Sequence, residues 1–447
     1  MNRLATLLIS FAISGSVTAQ DSLNVSLLFH WMDTTIIPSS LYNNTYNEIW
    51  GVKINNREYA IIGATDGTHF FDITDPMNVD TVAFVAGADD GSNIIHRDYH
   101  DYNGYLYAVC DEGPSTLQII DMSFLPDSVI VVYDNDSLIK RSHNIFIDSS
   151  SARLYNADGR IFSLANPIDP DSIGKFGSFC HDMFVRNDTL FCNKGNNGLF
   201  IYEVSDAANP ILIDSLITYP DKAYNHSGWL SDDGSIYVFA DEKHGMDIKV
   251  CDVSNMPGIS ILSQINVSSS DTSAIPHNVI IKGDFLFLSY YYDGLQIYNI
   301  SNPANPVRVG YYDTYALPNL ESYKGAWGVY PLLPSGLVLV SDMQTGLYVF
   351  DISVATGIEE KALLETSLLY PNPAVNKLTM TTQGKITDNT LVCIYDRMGK
   401  LLKQMLVSPS SYSEISIDIS ELAEGIYVLQ LLSEEQTVSH KFVKLSN

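Results

Sequence analysis

Seven residues recur at matching places along this chain of 447 residues, and most of them can bind metals. Each one opens a short apolar stretch; the seven are Trp50, Arg97, His143, His181, His226, His277 and Trp327. Imidazole is a common ligand of zinc and of other first-row transition metals. If the fold brings these places together, they form a site for a divalent metal ion or for an organic ligand.

Acidic residues follow in nearby turns, and carboxylate is a second common ligand of divalent metals. In most repeats the turn after the second strand carries Asp or Glu, on the same face as the histidines. The predicted metal ligands are therefore His143, His181, His226, His277, Asp66, Asp158, Asp241, Asp293 and Asp342. The acidic turns have a second explanation, because Asp-Gly pairs suit tight hairpins that need positive φ.

The histidines also have a purely structural explanation. A histidine at a repeated position can bond to the backbone of the next repeat, and tryptophan at two equivalent places indicates packing. Duplication of one structural histidine would produce the whole set. Packing, metal binding and binding of an organic ligand all remain open at this point.

A repeat identifies the elements that position these residues. A strand of aliphatic and aromatic residues, in most copies opened by a glycine and ended by an acid, recurs at residues 67–73, 117–121, 198–204, 294–300 and 346–352, with weaker copies at 160–164 and 247–253. The seven starting residues are 38 to 51 apart. Such a period, with four short strands per unit, is typical of propeller blades, whose innermost strands line a central channel. The sequence thus predicts an all-β fold with a seven-bladed β-propeller over residues 20–352, and the seven residues ring one mouth of its channel.

The seventh repeat lacks an outer strand, because residue 352 runs directly into a polar segment. Residues 24–33 have the pattern of an outer strand but no blade of their own. We expect this N-terminal strand to complete the seventh blade, which closes the ring and removes two open sheet edges. Residues 353–366 are predicted to be a linker.

A different pattern occupies residues 367–447, where short strand-like runs alternate with turns and predict a small Ig-like β-sandwich. Four ordered motifs lie within it: a Tyr-Pro-Asn-Pro opening, an Asp-x-x-Gly-Lys turn, a Leu-x-x-Gly-x-Tyr-x-Leu strand and an ending flanked by lysines. Their residues are Pro371, Asn372, Pro373, Asp396, Gly399, Lys400, Gly425, Tyr427, Lys441 and Lys444.

On these motifs the C-terminal module resembles the type A sorting domain of the type IX secretion system of Bacteroidota. That resemblance implies a partner, the type IX secretion machinery, and passage across the outer membrane. It commonly implies removal of the domain with attachment to surface polysaccharide, or release. The alternative is a permanent sandwich that binds a ligand of its own.

The propeller resembles the LVIVD-repeat proteins of the choice-of-anchor B family over residues 46–352. The resemblance rests on the Gly-Leu-x-Ile-x-Asp-Ile strands, on His-Asn-Ile-Phe-Ile at 143–147 and on Arg97-Asp98. The sequence departs from the family at His96, where relatives tend to have tryptophan. This resemblance implies a fold and implies no chemistry.

Residues 1–19 have the charged start, apolar run and small-residue ending of a signal peptide, and no later stretch is apolar enough to span a membrane. We expect a secreted or outer-surface protein and a monomer. The net charge of -27 disfavours nucleic acid and anionic membranes as partners. Five cysteines are too few for a disulfide framework; a bond between Cys180 and Cys192 stays open, because the inferred register does not place them opposite each other.

Two functions fit these observations. The first is a non-enzymatic binding protein whose propeller presents a rigid face to an extracellular ligand, which the sequence does not identify. The second is a hydrolase or lyase in which a divalent metal ion at the mouth of the channel activates water. Nucleophile-elbow, phosphate-loop and His-Glu-x-x-His motifs are absent from the sequence.

Overall fold

The computed structural model describes residues 21–267, 274–315, 317, 322–357, 368–381, 390–397, 400–407, 414–432 and 437–446. The predicted signal peptide, most of the predicted linker and Gly399 of the sorting motifs lie outside these residues. The chain divides into two units, Met1–Gly357 and Ile358–Asn447.

The described part of the first unit folds into seven antiparallel sheets, the blades of a β-propeller. The strands of each blade are given from the innermost outward. The first blade has Tyr46–Ile54, Arg57–Ala64, Gly67–Asp72 and Asp80–Ala86; the second has Arg97–Tyr102, Tyr105–Cys110, Leu117–Asp121 and Ile130–Asn135; the third has Ile145–Asp148, Arg153–Asn156, Arg160–Ser163 and Asp171–Lys175; and the fourth has Asp182–Arg186, Thr189–Asn193, Leu199–Glu203 and Ile211–Leu216. The fifth blade has Asn225–Leu230, Ile236–Asp241, Ile248–Asp252 and Ser260–Ile265; the sixth has Val279–Lys282, Phe285–Tyr290, Gly294–Asn299, Val307–Tyr312 and Ser22–Leu23; and the seventh has Ala326–Tyr330, Val338–Asp342, Gly346–Asp351 and Ser26–Trp31.

Burial explains the order of the strands within a blade. The innermost strand Tyr46–Ile54 is buried along most of its length, whereas the outer strand Ile130–Asn135 is mostly exposed. Strands covered on both faces need nearly continuous apolar runs, and edge strands do not. The innermost strands contact one another in chain order, and Ala326–Tyr330 contacts Tyr46–Ile54, so the ring is closed.

The seventh blade takes its outer strand from the start of the described chain. Ser26–Trp31 pairs antiparallel with Gly346–Asp351, with Ser26 opposite Asp351 and Trp31 opposite Leu347. The His30 ring also bonds to the Thr345 carbonyl at 2.7 Å. Strands more than 300 residues apart in sequence therefore share one sheet.

The prediction of a linker from residue 353 is wrong at its start. Ser353–Thr356 forms one turn of helix, which ends at Gly357 in the left-handed conformation with φ of 66°. Ala355 is buried against the sixth and seventh blades in the same apolar cluster as Val25. The apolar contact of Ala355 keeps this segment on the propeller, although its composition resembles that of a linker.

The second unit is built from two antiparallel sheets. Their strands are Leu368–Tyr370, Lys377–Thr381 and Glu414–Asp418 in one sheet, and Leu401–Val407, Thr390–Asp396, Gly425–Leu432 and Thr437–Lys444 in the other. Side chains from both sheets form one apolar core. The Asn372 side chain donates to the Lys441 carbonyl and accepts from the Val443 amide, which fastens the Tyr-Pro-Asn-Pro opening to the last strand.

Candidate metal centre at the mouth of the channel

Five histidines and one tryptophan form a row of ring contacts around one mouth of the channel. The centroid distances are 4.2 Å for His96–His143, 4.2 Å for His143–His181, 4.4 Å for His181–His226, 4.3 Å for His226–His277 and 4.7 Å for His277–Trp327. His96 and Trp327 approach each other at 5.6 Å. The structure thus brings together four of the predicted histidines and Trp327.

Arg97 does not belong to this row, contrary to the prediction, and His96 takes its place. The Arg97 guanidinium points between the first two blades, where it donates to the carbonyls of Ala64, Thr65 and Asp89 at 2.7 to 3.3 Å. Arg97 therefore fastens one blade to the next. His96 stands directly before Arg97 in the sequence, and this position was the only signal for it. It was not predicted, because relatives tend to have tryptophan there.

Trp50 was also misplaced by the sequence analysis, and it lies deeper in the channel. By register, Asn47 has the place of a row residue: it follows Tyr46, which pairs with Ala64, as His226 follows Asn225, which pairs with Asp241. Because Trp50 is three residues further along its strand, it contributes to another layer.

Burial favours the neutral form of four histidines of the row, His96, His181, His226 and His277. It lowers the pKa of His96, His181 and His226 well below the ordinary value, and neighbouring imidazoles lower each further. Burial also lowers the pKa of His277 to about 3. A neutral imidazole has the free lone pair that metal binding requires, so protons compete little for these nitrogens near neutral pH.

Hydrogen bonds fix the tautomers of two histidines. His277 donates from Nδ1 to the Trp327 carbonyl at 2.5 Å, and His143 donates from Nδ1 to Asp111 Oδ2 at 2.7 Å. In both rings Nε2 is left as the acceptor nitrogen. A carboxylate or carbonyl behind a histidine is the usual arrangement around bound metals, because it orients the ring and raises its basicity.

Two groups of three side chains place their ligand atoms within 4.8 Å of one another: His143, His181 and His226, and His226, Glu242 and His277. His226 Nε2 lies 3.6 Å from Glu242 Oε2, while Glu242 Oε1 accepts a hydrogen bond from the Tyr291 hydroxyl at 2.8 Å. The Nδ1 atoms of His181 and His226 are buried without hydrogen-bond partners. His226 is the residue common to both groups.

Glu242 belongs to a candidate ligand group, whereas Asp241, its neighbour in the same acidic turn and the residue predicted as a ligand, belongs to neither group. Asp241 ends its strand and turns into the blade, where it accepts from the Tyr219 hydroxyl at 2.9 Å and lies 3.4 Å from the Lys249 ammonium. Successive residues at a strand end point to opposite sides, so the next residue faces the channel. Burial raises the pKa of Glu242 to about 7.

The other predicted acidic ligands serve their own turns or line a neighbouring cleft. Asp66 bonds to the His69 ring at 3.0 Å, and Asp342 accepts from the Thr314 hydroxyl and from two backbone amides of its turn. Asp293 lies in the turn before Gly294 and belongs to neither group of ligand atoms. Only Asp158 lies near the row, on a cleft that His143 and His181 also line.

A disulfide between Cys180 and Cys192 holds the backbone next to His181, with 5.6 Å between the Cα atoms. Cys192 pairs with Met183 across the hairpin, so the two cysteines are not opposite each other. They meet because Cys180 precedes the strand, where its amide donates to the Ala157 carbonyl at 2.8 Å.

Beneath the row lies a small polar chamber of about 60 Å³. Six polar residues that line it lie one or two positions after the row in the first six blades: Glu48, Asp98, Asn144, Asp182, Ser227 and Asn278. Burial raises the pKa of Glu48 and of Asp182 to about 7 and that of Asp98 well above its ordinary value. The chamber has room for only a few water molecules.

Aromatic side chains fill the channel beyond the chamber. Rings contact in the order Tyr330, Trp50, His100, Phe146, Phe184 and Trp229, at centroid distances of 4.9, 4.6, 4.8, 5.1 and 4.8 Å. Trp50 Nε1 donates to Asp101 Oδ1 at 2.9 Å. Three of these rings, Trp50, His100 and Trp229, are half-buried, and the other three are buried.

Comparisons with known proteins identify two parts of the chain. Residues 368–445 match the family described as the secretion system C-terminal sorting domain, and residues 276–314 match the LVIVD repeat. No curated protein has a matching sequence. The motif-based expectations of a type IX sorting domain and an LVIVD repeat are thereby confirmed.

Three solved structures are similar to this chain, and the first of them supports the propeller fold. The WD40 repeats of RRP9 match with a TM-score of 0.50 and 8% identity, over 70% of this chain and 98% of that one. A chain of the Mitotic Checkpoint Complex gives 0.49 at 10% identity over 76% and 98%, and the computationally designed Ika8 protein gives 0.44 at 9% identity over 70% and 98%. At such identities the likeness concerns the propeller fold alone.

The sorting domain establishes where the protein works: it is secreted or displayed on the cell surface. Within the described residues, we find no helix with the length and apolar character needed to cross a membrane.

Proposed function

We propose that this exported protein is a binding protein whose propeller holds a divalent transition-metal ion at the mouth of its channel, with His226, Glu242 and His277 as ligands. The observation that carries the proposal is the 3.6 Å separation of His226 Nε2 and Glu242 Oε2. In a tetrahedral zinc site with bonds of about 2.05 Å, donor atoms lie about 3.3 Å apart. The pair is therefore close to the spacing that zinc requires.

The chemistry of the donor set supports the same ion. Imidazole with one carboxylate suits zinc and other first-row transition metals, whereas calcium prefers oxygen ligands alone. The Trp327 carbonyl behind His277 and the Tyr291 hydroxyl behind Glu242 orient both ligands. His143 and His181 belong to the adjoining group, which shares His226, so either of them could supply a fourth ligand.

Metal content is the direct test. After equilibration with zinc and removal of the excess, the wild-type protein should retain one zinc ion per chain by elemental analysis. His226→Ala should lower the affinity about hundredfold or more, because changes to outer partners of a metal already cost 10 to about 100-fold. Glu242→Gln keeps the size and removes the charge, and it should weaken binding less.

The control is His30→Ala, which removes an exposed histidine from the outer strand of the seventh blade and should leave the zinc content unchanged. A wild-type protein that stays folded and retains no zinc would overturn the proposal.

A metal-dependent hydrolase or lyase is the second candidate, and the open cleft beside the row favours it. Three protein ligands leave a coordination position for water, and a bound metal lowers the pKa of that water. Turnover that disappears in His226→Ala together with the zinc would assign catalysis to this site.

The remaining sequence-based expectations complete the proposal. Residues 1–19 act as a signal peptide, the mature propeller is a monomer, and the C-terminal domain engages the type IX secretion machinery of a bacterium of the Bacteroidota. The motifs of the sorting domain and the sequence of residues 1–19 support these points.

A further inference from the structure

A cleft of about 610 Å³ opens beside the histidine row. His143 and His181 form part of its wall, and both belong to a group whose ligand atoms lie within 4.8 Å of one another and include His226. A molecule in the cleft would therefore be next to the proposed metal. The inference rests on the proposed function, because the metal is one of its contacts.

The cleft is the route by which a ligand larger than water reaches the histidines. The chamber beneath them measures only about 60 Å³, and the touching rings of the aromatic layer from Tyr330 to Trp229 lie beyond it. A site of several hundred Å³ that opens to solvent has the size expected for a small organic ligand.

The charges of the cleft select an anion once the metal is bound. Its wall carries Lys140 and Arg141 against Asp111 and Asp158, so these formal charges cancel. Asp111 is already engaged, since it accepts the His143 proton at 2.7 Å and Arg141 helps to lower its pKa. A dication outweighs the single charge of Glu242, and this local excess of positive charge lies on a protein of net charge -27.

Two aromatic side chains supply a surface for a flat ring. Phe179 is 46% exposed although it is a large apolar residue. Its ring meets His181 edge-on at 6.2 Å, and Tyr224 meets His181 edge-on at 5.0 Å. Aromatic rings prefer offset or edge-to-face contact with other rings, and both residues line the cleft.

We propose that the cleft binds a small aromatic carboxylate, whose carboxylate group contacts the metal and Arg141 and whose ring packs against Phe179 and Tyr224. Arginine is suited to this role because its planar fork binds carboxylates with two parallel hydrogen bonds. The ring contact adds selectivity over small aliphatic acids.

Calorimetric titration of the zinc-loaded full chain tests the proposal with three ligands: benzoate, the uncharged benzamide and the ringless acetate. Benzoate should bind about tenfold more tightly than either of the others, since each lacks one of the two contacts. Phe179→Ala should weaken benzoate to the level of acetate and leave acetate unchanged. Arg141→Ala should weaken benzoate and acetate together.

Lys53→Ala is the matched control, because it removes an exposed cation from the innermost strand of the first blade, away from the cleft lining. Equal binding of benzoate and benzamide, or no effect of Phe179→Ala, would overturn the inference. Zinc is measured in the same samples, so that a zinc-loaded protein without benzoate binding refutes only the ligand. A protein without zinc refutes the proposed function.

Discussion

The two ends of the channel are built from the same seven strands and have opposite characters. At the mouth, buried imidazoles keep nitrogen atoms without partners. At the other end the rings pack on one another, and the Trp50 nitrogen has its partner in Asp101. The contrast shows that within one strand a candidate ligand and a packing residue lie only a few positions apart. In the third blade His143 faces the mouth, whereas Phe146 belongs to the aromatic layer.

The spacing between the two layers is regular. The interval is three positions between Asn47 and Trp50, between His226 and Trp229, and between Trp327 and Tyr330. In the second blade the interval from His96 to His100 is four residues. Its innermost strand pairs without a bulge from Arg97, opposite Cys110, to Tyr102, whereas the innermost strands of the first, fifth and seventh blades each contain a bulge. The second blade therefore lacks the extra residue that places the row in those three blades, and the Arg97 side chain bonds to the first blade.

The largest effect on stability is expected at the aromatic end. Trp50→Ala should lower the free energy of unfolding by about 3 to 5 kcal/mol, because it leaves a cavity where several rings meet. Zinc content should stay at the wild-type level, since the ligands lie at the mouth. Chemical denaturation and elemental analysis measure the two quantities.

Phe124→Ala is the control, because Phe124 is 51% exposed and its loss should cost little. If Trp50→Ala abolished zinc binding in a folded protein, the two ends would not be independent.

The chamber between the ends predicts a pH effect in the metal-free protein. Burial raises the pKa of Glu48 to about 7 from an ordinary value of 4.5, so between these values the folded state binds more protons than the unfolded state. Stability from this group is complete below pH 4.5 and is lost as the pH rises towards 7. The wild-type protein should therefore lose about 3 kcal/mol of unfolding free energy across that pH range through this group, and Glu48→Gln should abolish that loss.

The measurement is the difference in unfolding free energy between Glu48→Gln and the wild type at several pH values. It should rise between pH 4.5 and 7 and stay level above that. Asp232→Asn, at an exposed carboxylate, is the matched surface control. A flat curve for Glu48→Gln would show that this carboxyl is not desolvated in solution.

The smallest effect concerns the disulfide beside the mouth. Replacing Cys180 and Cys192 by serine should lower zinc affinity up to about tenfold, because His181 loses its covalent support and is an adjoining rather than a primary ligand. Competition with a coloured zinc chelator measures the change. Cys251→Ala is the control, because it removes a buried thiol outside the site. An unchanged zinc affinity in the double serine variant would show that the disulfide does not support the metal site.

The sequence predicted the architecture better than the details of the site. The repeated strand pattern marked every blade, and four of the predicted histidines lie together in the row because their spacing follows the strands. Trp50 was misplaced because tryptophan occurs both in the row and in the aromatic layer, and the two layers are only three residues apart. Choosing Glu242 over Asp241 required knowing where the strand ends, which depends on pairing between strands distant in sequence.

The shared seventh blade also sets the order in which the molecule can be assembled. Ser26–Trp31 emerges early in synthesis, but its partner Gly346–Asp351 emerges only after all the intervening blades. Until both are available, two sheet edges stay unpaired, and such edges attract proteases and other chains. Contacts between distant segments form slowly, so the last step of folding is a long-range search by the N-terminal strand. A helper that shields this strand would therefore act on the yield of intact protein rather than on its activity.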